Sequence, residues 1–159
     1  MSQSCSTTTA ALVTTFLDAT RNVLATMAGI DVQLGAPHEK EEPETTYDVS
    51  AIVGFSGDVA GSVVVSFSRG TALAIVEAFA GIALDVDDLD FADAVGELGN
   101  MIAGNAKKEF GCNASISVPS VVIGTGHTVA RLRDVPCMII PGACAAGQFA
   151  VEVNIRTTV

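Results

Sequence analysis

The sequence predicts an α+β fold in which long helices pack on a largely antiparallel sheet. Two long segments, ending near residues 28 and 110, carry apolar residues at helical spacing. Several others alternate apolar and polar residues with a period of two, or are rich in β-branched residues, as strands are. Because short turns join these strand segments to one another, the sheet is expected to be antiparallel.

The composition and net charge indicate a single globular domain and disfavour several classes of partner. The 159 residues suit one domain, and the 49% that are apolar suit a compact core. A net charge of -10 disfavours nucleic acid and anionic membranes as partners. The sequence has neither a secretory signal nor an apolar run of the roughly 20 residues that a membrane span needs. We expect a flexible tail at residues 1–7, a single domain at residues 8–159 and a cytoplasmic location.

The sequence predicts no metal site. Its cysteines lack CxxC spacing, and neither histidine lies near a cysteine pair, so free thiols in a reducing compartment are expected. The cysteines are Cys5, Cys112, Cys137 and Cys144. An aspartate-rich segment at residues 85–90 lacks the glycine and terminal glutamate of a calcium loop. We expect it to favour the N-terminus of the next helix instead.

The first half of the chain begins with a helix. Ser6 or Thr7 is a candidate cap, and Gly29 is a natural end. A short strand at 32–34 and a proline-bracketed loop at 37–43 follow, and the charges of that loop are expected to be solvated. Two strands then form a predicted hairpin, at residues 47–55 and 62–67 with a turn at 56–58.

The second half of the chain continues the pattern. A helix is predicted over 71–80, with Ser68 as its cap and Gly81 as its end, and another over 91–110. Strand patterns then follow at residues 115–123, 137–140 and 148–156, with turns at 124–126 and 141–142. Residues 22–25 resemble residues 100–103, which suggests a possible internal pseudo-repeat.

The helix over 91–110 has two contrasting faces. Its core face is predicted to hold Phe91, Val95, Leu98, Ile102, Ala106 and Phe110. On the opposite face lies a polar stripe made of Asp93, Glu97, Asn100, Gly104 and Lys107. A glutamate and an asparagine three residues apart are neighbours on a helix, but spacing alone does not make such a pair catalytic.

Three glycines weaken this helix. Each costs about 1 kcal/mol relative to alanine, so Gly96, Gly99 and Gly104 together cost about 3 kcal/mol if the effects add. Gly99 lies toward the core and would admit a close strand. Gly96 and Gly104 lie on or beside the polar stripe, where they either relieve crowding within the fold or leave room for a partner. On spacing alone the first explanation is favoured.

The segment from residue 93 to residue 107 resembles the signature helix of the CheC/CheX/FliY chemotaxis phosphatases. The resemblance extends to three further segments in the family's order. Residues 54–63 are similar to its hairpin, residues 117–124 to the segment after the signature helix, and residues 147–153 to its last strand. The resemblance thus covers most of residues 10–157 and implies a CheC/CheX-like fold.

Family resemblance also implies the number of sites. CheC-type members carry the motif on two helices. Here the first helix has Asn22, but Ala19 stands where the acid of the motif would be. One site per chain is implied, as in CheX-type members.

By this resemblance the chain is a phosphatase acting on the aspartyl phosphate of a phosphorylated CheY-like response regulator. Asn100 would position the attacking water, and Glu97 would dock to the receiver's lysine. The residues implied in docking or support are Asp93, Gly96, Gly104 and Lys107. No cofactor is expected on this chain, whereas Mg²⁺ is expected in the receiver, and the chain is expected to form a homodimer. The alternative is a non-catalytic CheX-like module that binds a receiver domain or a flagellar switch component.

Overall fold

The computed structural model describes residues 8–43 and 45–158, in which three α-helices and eight strands form one α+β unit. The elements are α1 (Thr9–Ala28), β1 (Gln33–Leu34), β2 (His38–Glu39), β3 (Val49–Gly57), β4 (Val59–Phe67), α2 (Arg69–Ala80), α3 (Leu89–Lys108), β5 (Ala114–Ile116), β6 (Ser120–Ile123), β7 (Met138–Cys144) and β8 (Gly147–Thr157). None of the helices in these two ranges is both long and apolar enough to cross a membrane.

All strands of the sheet pair antiparallel, which confirms the predicted fold class. The order is β1-β7-β8-β4-β3-β5, with β2 also pairing with β7 and β6 with β3. In the centre of the sheet, Val63 lies between Val53 on β3 and Val153 on β8. The predicted hairpin is confirmed as β3 and β4, although β3 extends into the predicted turn and β4 begins directly after it, at Val59. The internal pseudo-repeat stays a prediction.

One hydrophobic core joins the helices to the sheet. Phe16 of α1, Phe55 of β3 and Phe110 after α3 are buried, and their ring centroids lie 5.7–5.9 Å apart. Contacts of this kind between aromatic rings add to the free energy of burial. These ring contacts connect α1 and the segment after α3 to β3.

The ends of α1 and α2 differ slightly from the prediction. Thr8 caps α1 by accepting a hydrogen bond from the amide of Ala11 at 3.2 Å, whereas the predicted cap positions and the tail 1–7 lie outside the described residues. Gly29 ends α1 in a left-handed conformation, as predicted. Ser68 precedes α2, but its hydroxyl bonds the Thr71 hydroxyl at 2.6 Å instead of a helix amide.

The predicted turn at 141–142 is wrong, because Pro141 lies inside β7 and the turn falls at residues 145–146. The carbonyl of Pro141 accepts a hydrogen bond from Gly35 at 2.7 Å, on the side of the strand away from β8. In a strand, the N–H and C=O of one residue point to the same side. The N–H that Pro141 lacks would therefore also point away from β8, where proline is tolerated. The predicted strand 115–123 is two strands, since it breaks before Pro119.

The loop predicted at 37–43 is partly a strand, and one of its charges is buried. His38 and Glu39 form β2, which pairs with β7. The side chain of Lys40 is 8% exposed, and its Nζ lies 3.9 Å from Oε1 of Glu152 on β8, which is also buried. The expectation that all charges of this loop are solvated is therefore wrong for Lys40.

A polar layer covers the face of the sheet opposite the helices. Asn154 of β8 accepts a hydrogen bond from the amide of Leu132 at 2.7 Å and donates to the Leu132 carbonyl at 3.3 Å. His127 lies within hydrogen-bond distance of the hydroxyls of Ser50 and Thr45, at 2.9 and 3.0 Å. These bonds hold residues 124–137 over the sheet. His127 is thus a structural residue of this turn.

The cysteines are not all free. Cys112 is disulfide-bonded, so the expected free thiol is wrong at this position, whereas Cys137 and Cys144 are free as predicted. Cys5 lies outside the described residues. Burial raises the pKa of the Cys137 thiol. Disulfide formation depends on the approach of two chain segments in space, which cysteine spacing in the sequence does not reveal.

Burial of Glu152 predicts a distinct pH dependence of stability. Desolvation raises the pKa of this carboxyl above its ordinary value, although Lys40 lowers it in part, and Oε2 has no hydrogen-bond partner among the described residues. A raised pKa in the folded state stabilises the fold at low pH, and this contribution is lost as pH rises through the folded-state value. We expect Glu152→Gln to remove this loss. Above about pH 4.5, the ordinary pKa of a glutamate, the free energy of unfolding of the variant should fall less with rising pH than that of the native chain.

Urea unfolding at a series of pH values measures this effect. Glu77→Gln is the matched control, because Glu77 is exposed on α2 and makes no ion pair among the described residues. Equal pH profiles for the native chain and Glu152→Gln would contradict the prediction.

Candidate active site

The helix α3 carries the predicted site and begins two residues earlier than expected. Asp88 caps it, accepting a hydrogen bond from the amide of Asp90 at 3.2 Å. Asp90 lies in the first turn, and Lys107 and Lys108 lie in the last. The acidic side chain at the N-terminus and the basic side chains at the C-terminus interact favourably with the helix dipole. The aspartate-rich segment therefore supports the N-terminus, as the sequence predicted.

Packing of α3 fixes which face is outward. The predicted core face is confirmed, because each of its six residues is at most 4% exposed. Gly99 is buried beside β3, and a Cβ placed on it would lie 2.7 Å from the Cβ of Ala51. This contact is possible only with glycine, so Gly99 admits a close strand as expected.

Gly96 is also enclosed by the fold. A Cβ placed on it would lie 3.2 Å from Cγ2 of Val121 and 3.5 Å from Cγ of Pro119. Residues 117–119, here called the β5–β6 linker, thus reach the helix at Gly96. Gly96 relieves crowding within the fold, the explanation that spacing alone favoured. Gly104 differs, since a Cβ there would have no neighbour within 4 Å in the described residues.

The polar stripe faces outward. Asp93 and Glu97 are exposed, and Asn100, Gly104 and Lys107 are half-buried. The geometry of a helix sets the Cβ atoms of Glu97 and Asn100 about 5–6 Å apart. In the described part of the chain, neither of these two side chains makes a hydrogen bond or an ion pair.

The stripe offers polar groups without a built-in nucleophile. A carboxylate accepts hydrogen bonds from a cation, and a carboxamide both donates and accepts without ionising. Within residues 8–43 and 45–158, no group of three or more His, Cys, Asp or Glu residues is arranged to hold a metal ion. Glu97 and Asn100 can thus accept hydrogen bonds from a partner, and Asn100 can also donate them.

The corresponding face of α1 lacks the acid. Ala19 is 2% exposed and lines a groove between α1 and α3 together with Asn22, Asn105 and Glu109. No carboxylate can project from position 19, so the Glu97–Asn100 pattern is not repeated there. The β5–β6 linker, by contrast, is not among the site residues that the sequence predicts. Its signal was Pro119, which interrupts the segment that was predicted as one strand.

Fold and site together define a CheC/CheX-type domain. The family described as "Chemotaxis phosphatase CheX" matches residues 49–142 of this chain. A curated relative, the CheY-P phosphatase CheX of Thermotoga maritima, is 34% identical over 119 residues, which are 72% of this chain and 74% of the relative. The chain belongs to the CheX family of chemotaxis phosphatases.

Solved structures agree with this assignment. A chemotaxis protein CheX from Desulfovibrio desulfuricans has a TM-score of 0.82 and 38% identity, over 92% of this chain and 98% of that one. A chain from the CheX-CheY-BeF3-Mg²⁺ complex of Borrelia burgdorferi has a TM-score of 0.73 and 27% identity, over 91% and 97% of the two chains.

Two of the helix glycines, Gly99 and Gly104, predict opposite effects on stability. We expect Gly99→Ala to lower the free energy of unfolding by up to about 2 kcal/mol, because overpacking against Ala51 costs about 1–3 kcal/mol and helix propensity returns about 1 kcal/mol. Gly104→Ala should raise it by about 1 kcal/mol, because only the propensity changes.

Urea unfolding of the two variants beside the native chain measures both effects. If Gly99→Ala were as stable as Gly104→Ala, the close contact between α3 and β3 would be contradicted.

Proposed function

We propose that this chain hydrolyses the aspartyl phosphate of a phosphorylated CheY-like receiver domain. The observation that carries the proposal is the outward pair Glu97 and Asn100, unpartnered within the described residues, on a rigid helix of a CheX-family chain. Two relatives support the substrate. One is named a CheY-P phosphatase, and the other was solved in complex with CheY, BeF3 and Mg²⁺.

The chain supplies positioning, and the receiver supplies the reactive group. Its aspartyl phosphate would be the electrophile, and a receiver-bound Mg²⁺ and lysine would offset the charge on the phosphoryl oxygens. Hydrolysis then needs a water held in line with the breaking P–O bond. This chain needs no cofactor of its own for that task.

Asn100 holds the water in this proposal. Its carboxamide oxygen accepts a hydrogen bond from the water, and its NH₂ group donates to a phosphoryl oxygen. Its half-burial limits the freedom of this side chain, which suits a group that must hold one geometry.

Glu97 docks the helix. As an exposed carboxylate one turn from Asn100, it can form a charge-assisted contact with the receiver's lysine. Asp93 and Lys107 extend the same stripe and are proposed as supporting contacts. Gly104 leaves open space on the stripe between Asn100 and Lys107, where a bulky receiver surface can approach.

Substitution of the pair should separate hydrolysis from binding. Asn100→Ala is expected to lower kcat by about 10²-fold or more, the effect typical of losing one positioned polar group, with receiver affinity nearly kept. Glu97→Ala should weaken binding by about tenfold or more and lower turnover with it, because it removes a charge-assisted contact. Loss of phosphate from a CheY receiver phosphorylated with a small phosphodonor measures both effects.

Matched controls lie on the same helix and just after it. Asn105→Ala and Glu109→Ala remove the same chemical groups on the side that faces the α1–α3 groove, so both should keep native activity. Native activity in Asn100→Ala would contradict the water-positioning role. Binding of the phosphorylated receiver without any acceleration of phosphate loss would favour a non-catalytic receiver-binding module.

Two further properties are proposed with this function. A phosphatase for a receiver must share its compartment, so we propose the cytoplasm. We also propose a homodimer, because β5 ends the sheet with an edge that no described strand covers. Light scattering should then give about twice the mass of one chain, whereas a monomer mass at micromolar concentration would contradict it.

A further inference from the structure

The two most exposed large apolar side chains among the described residues both lie near the polar stripe. Val118 is 87% exposed and Leu89 is 82% exposed. Single exposed apolar residues are common on protein surfaces and need no explanation. Their common position near the polar stripe of α3 is the observation that needs one.

Leu89 lies on the same face of α3 as the stripe. It is the first residue of the helix, four residues before Asp93 and eleven before Asn100, and both spacings return to one face. With a rise of about 1.5 Å per residue, it lies about 6 Å along the axis from Asp93 and about 16 Å from Asn100.

Val118 is held at the flank of the stripe by the β5–β6 linker. Ser117 donates its amide to the carbonyl of Gly54 at 2.9 Å and accepts from the amide of Gly54 through its hydroxyl at 2.8 Å. On the other side of Val118, the Pro119 ring packs at Gly96. Gly96 precedes Asn100 by one turn on the same face. The anchored linker therefore holds Val118 near the part of α3 that carries the polar pair.

We propose that Leu89 and Val118 are apolar anchors that bind the receiver domain on this face. Both lie toward the N-terminal side of α3 relative to Glu97 and Asn100. This inference rests on the proposed function. Interfaces combine apolar side chains that lose water with polar groups that fix orientation. Glu97 and Asn100 supply the second kind of group, and the two aliphatic side chains supply the first.

A receiver suits this face better than a second copy of the chain. Asp87, Asp88 and Asp90 adjoin Leu89, and Asp93 and Glu97 follow along the stripe. In a symmetric dimer built on this face, each acidic surface would meet its own copy, which like charges disfavour. A receiver that presents a lysine beside its phosphorylation site complements these charges.

The test uses the full chain and a CheY receiver from the same organism. Leu89→Ser and Val118→Ser should each raise KM for the phosphorylated receiver about five- to tenfold and leave kcat unchanged, since each loses part of one apolar contact. Affinity for the receiver activated with Mg²⁺ and BeF3⁻, measured by calorimetry, should fall by the same factor. The melting temperature should not change, because both side chains are more than 80% exposed.

Conservative variants separate apolar contact from other effects. Leu89→Met and Val118→Ile keep an apolar side chain and are expected to restore the KM of the native chain. Native KM and affinity in both serine variants would overturn the inference while the native chain still hydrolyses the phosphate. A change in oligomeric state in the serine variants, with receiver affinity unchanged, would overturn it in favour of a contact between two copies.

Failure of the proposed function gives a different result. If the native chain accelerates no phosphate loss, the phosphatase proposal fails. The calorimetric titration still decides the docking inference in that case, because it needs binding and not hydrolysis. Weaker binding in the serine variants would support it, and unchanged binding would overturn it.

Discussion

The close contact between α3 and β3 at Gly99 is the constraint on which the site depends. With no Cβ at this position, the helix lies directly against Ala51 of the strand. The buried face of α3 fills the core on this side, and the helix therefore cannot rotate without exposing apolar side chains such as Phe91 and Leu98. The polar stripe points outward because its opposite face is fixed.

A second contact reinforces the first through the same part of the sheet. Val121 of β6 is the pairing partner of Ala51, and it contacts the helix at Gly96, three residues before Gly99. Two glycines on one side of α3 thus meet two paired residues on neighbouring strands. The cost of about 2 kcal/mol for two helix glycines is offset by apolar burial at this contact, which also orients the β5–β6 linker.

Sequence reasoning recovered what local patterns determine. The helix period gave the buried face of α3, its outward stripe and the core position of Gly99, and the strand period with short turns gave an antiparallel sheet. The sequence-based predictions were wrong where a contact joins segments that are far apart in the chain. The burial of Lys40 depends on Glu152, and the strand position of Pro141 depends on Gly35, each over more than 100 residues of chain. No local pattern carries that information.

The same division applies to the site. Glu97 and Asn100 could be selected from the sequence because family resemblance gave meaning to an otherwise common surface pair. The linker that borders them could not, since its place depends on β5 and β6 both pairing with β3. In the proposed mechanism the chain contributes geometry, and geometry requires rigid support. Helix, strand and linker meet at Gly96 and Gly99, which makes this junction as important to the proposed chemistry as the two polar side chains.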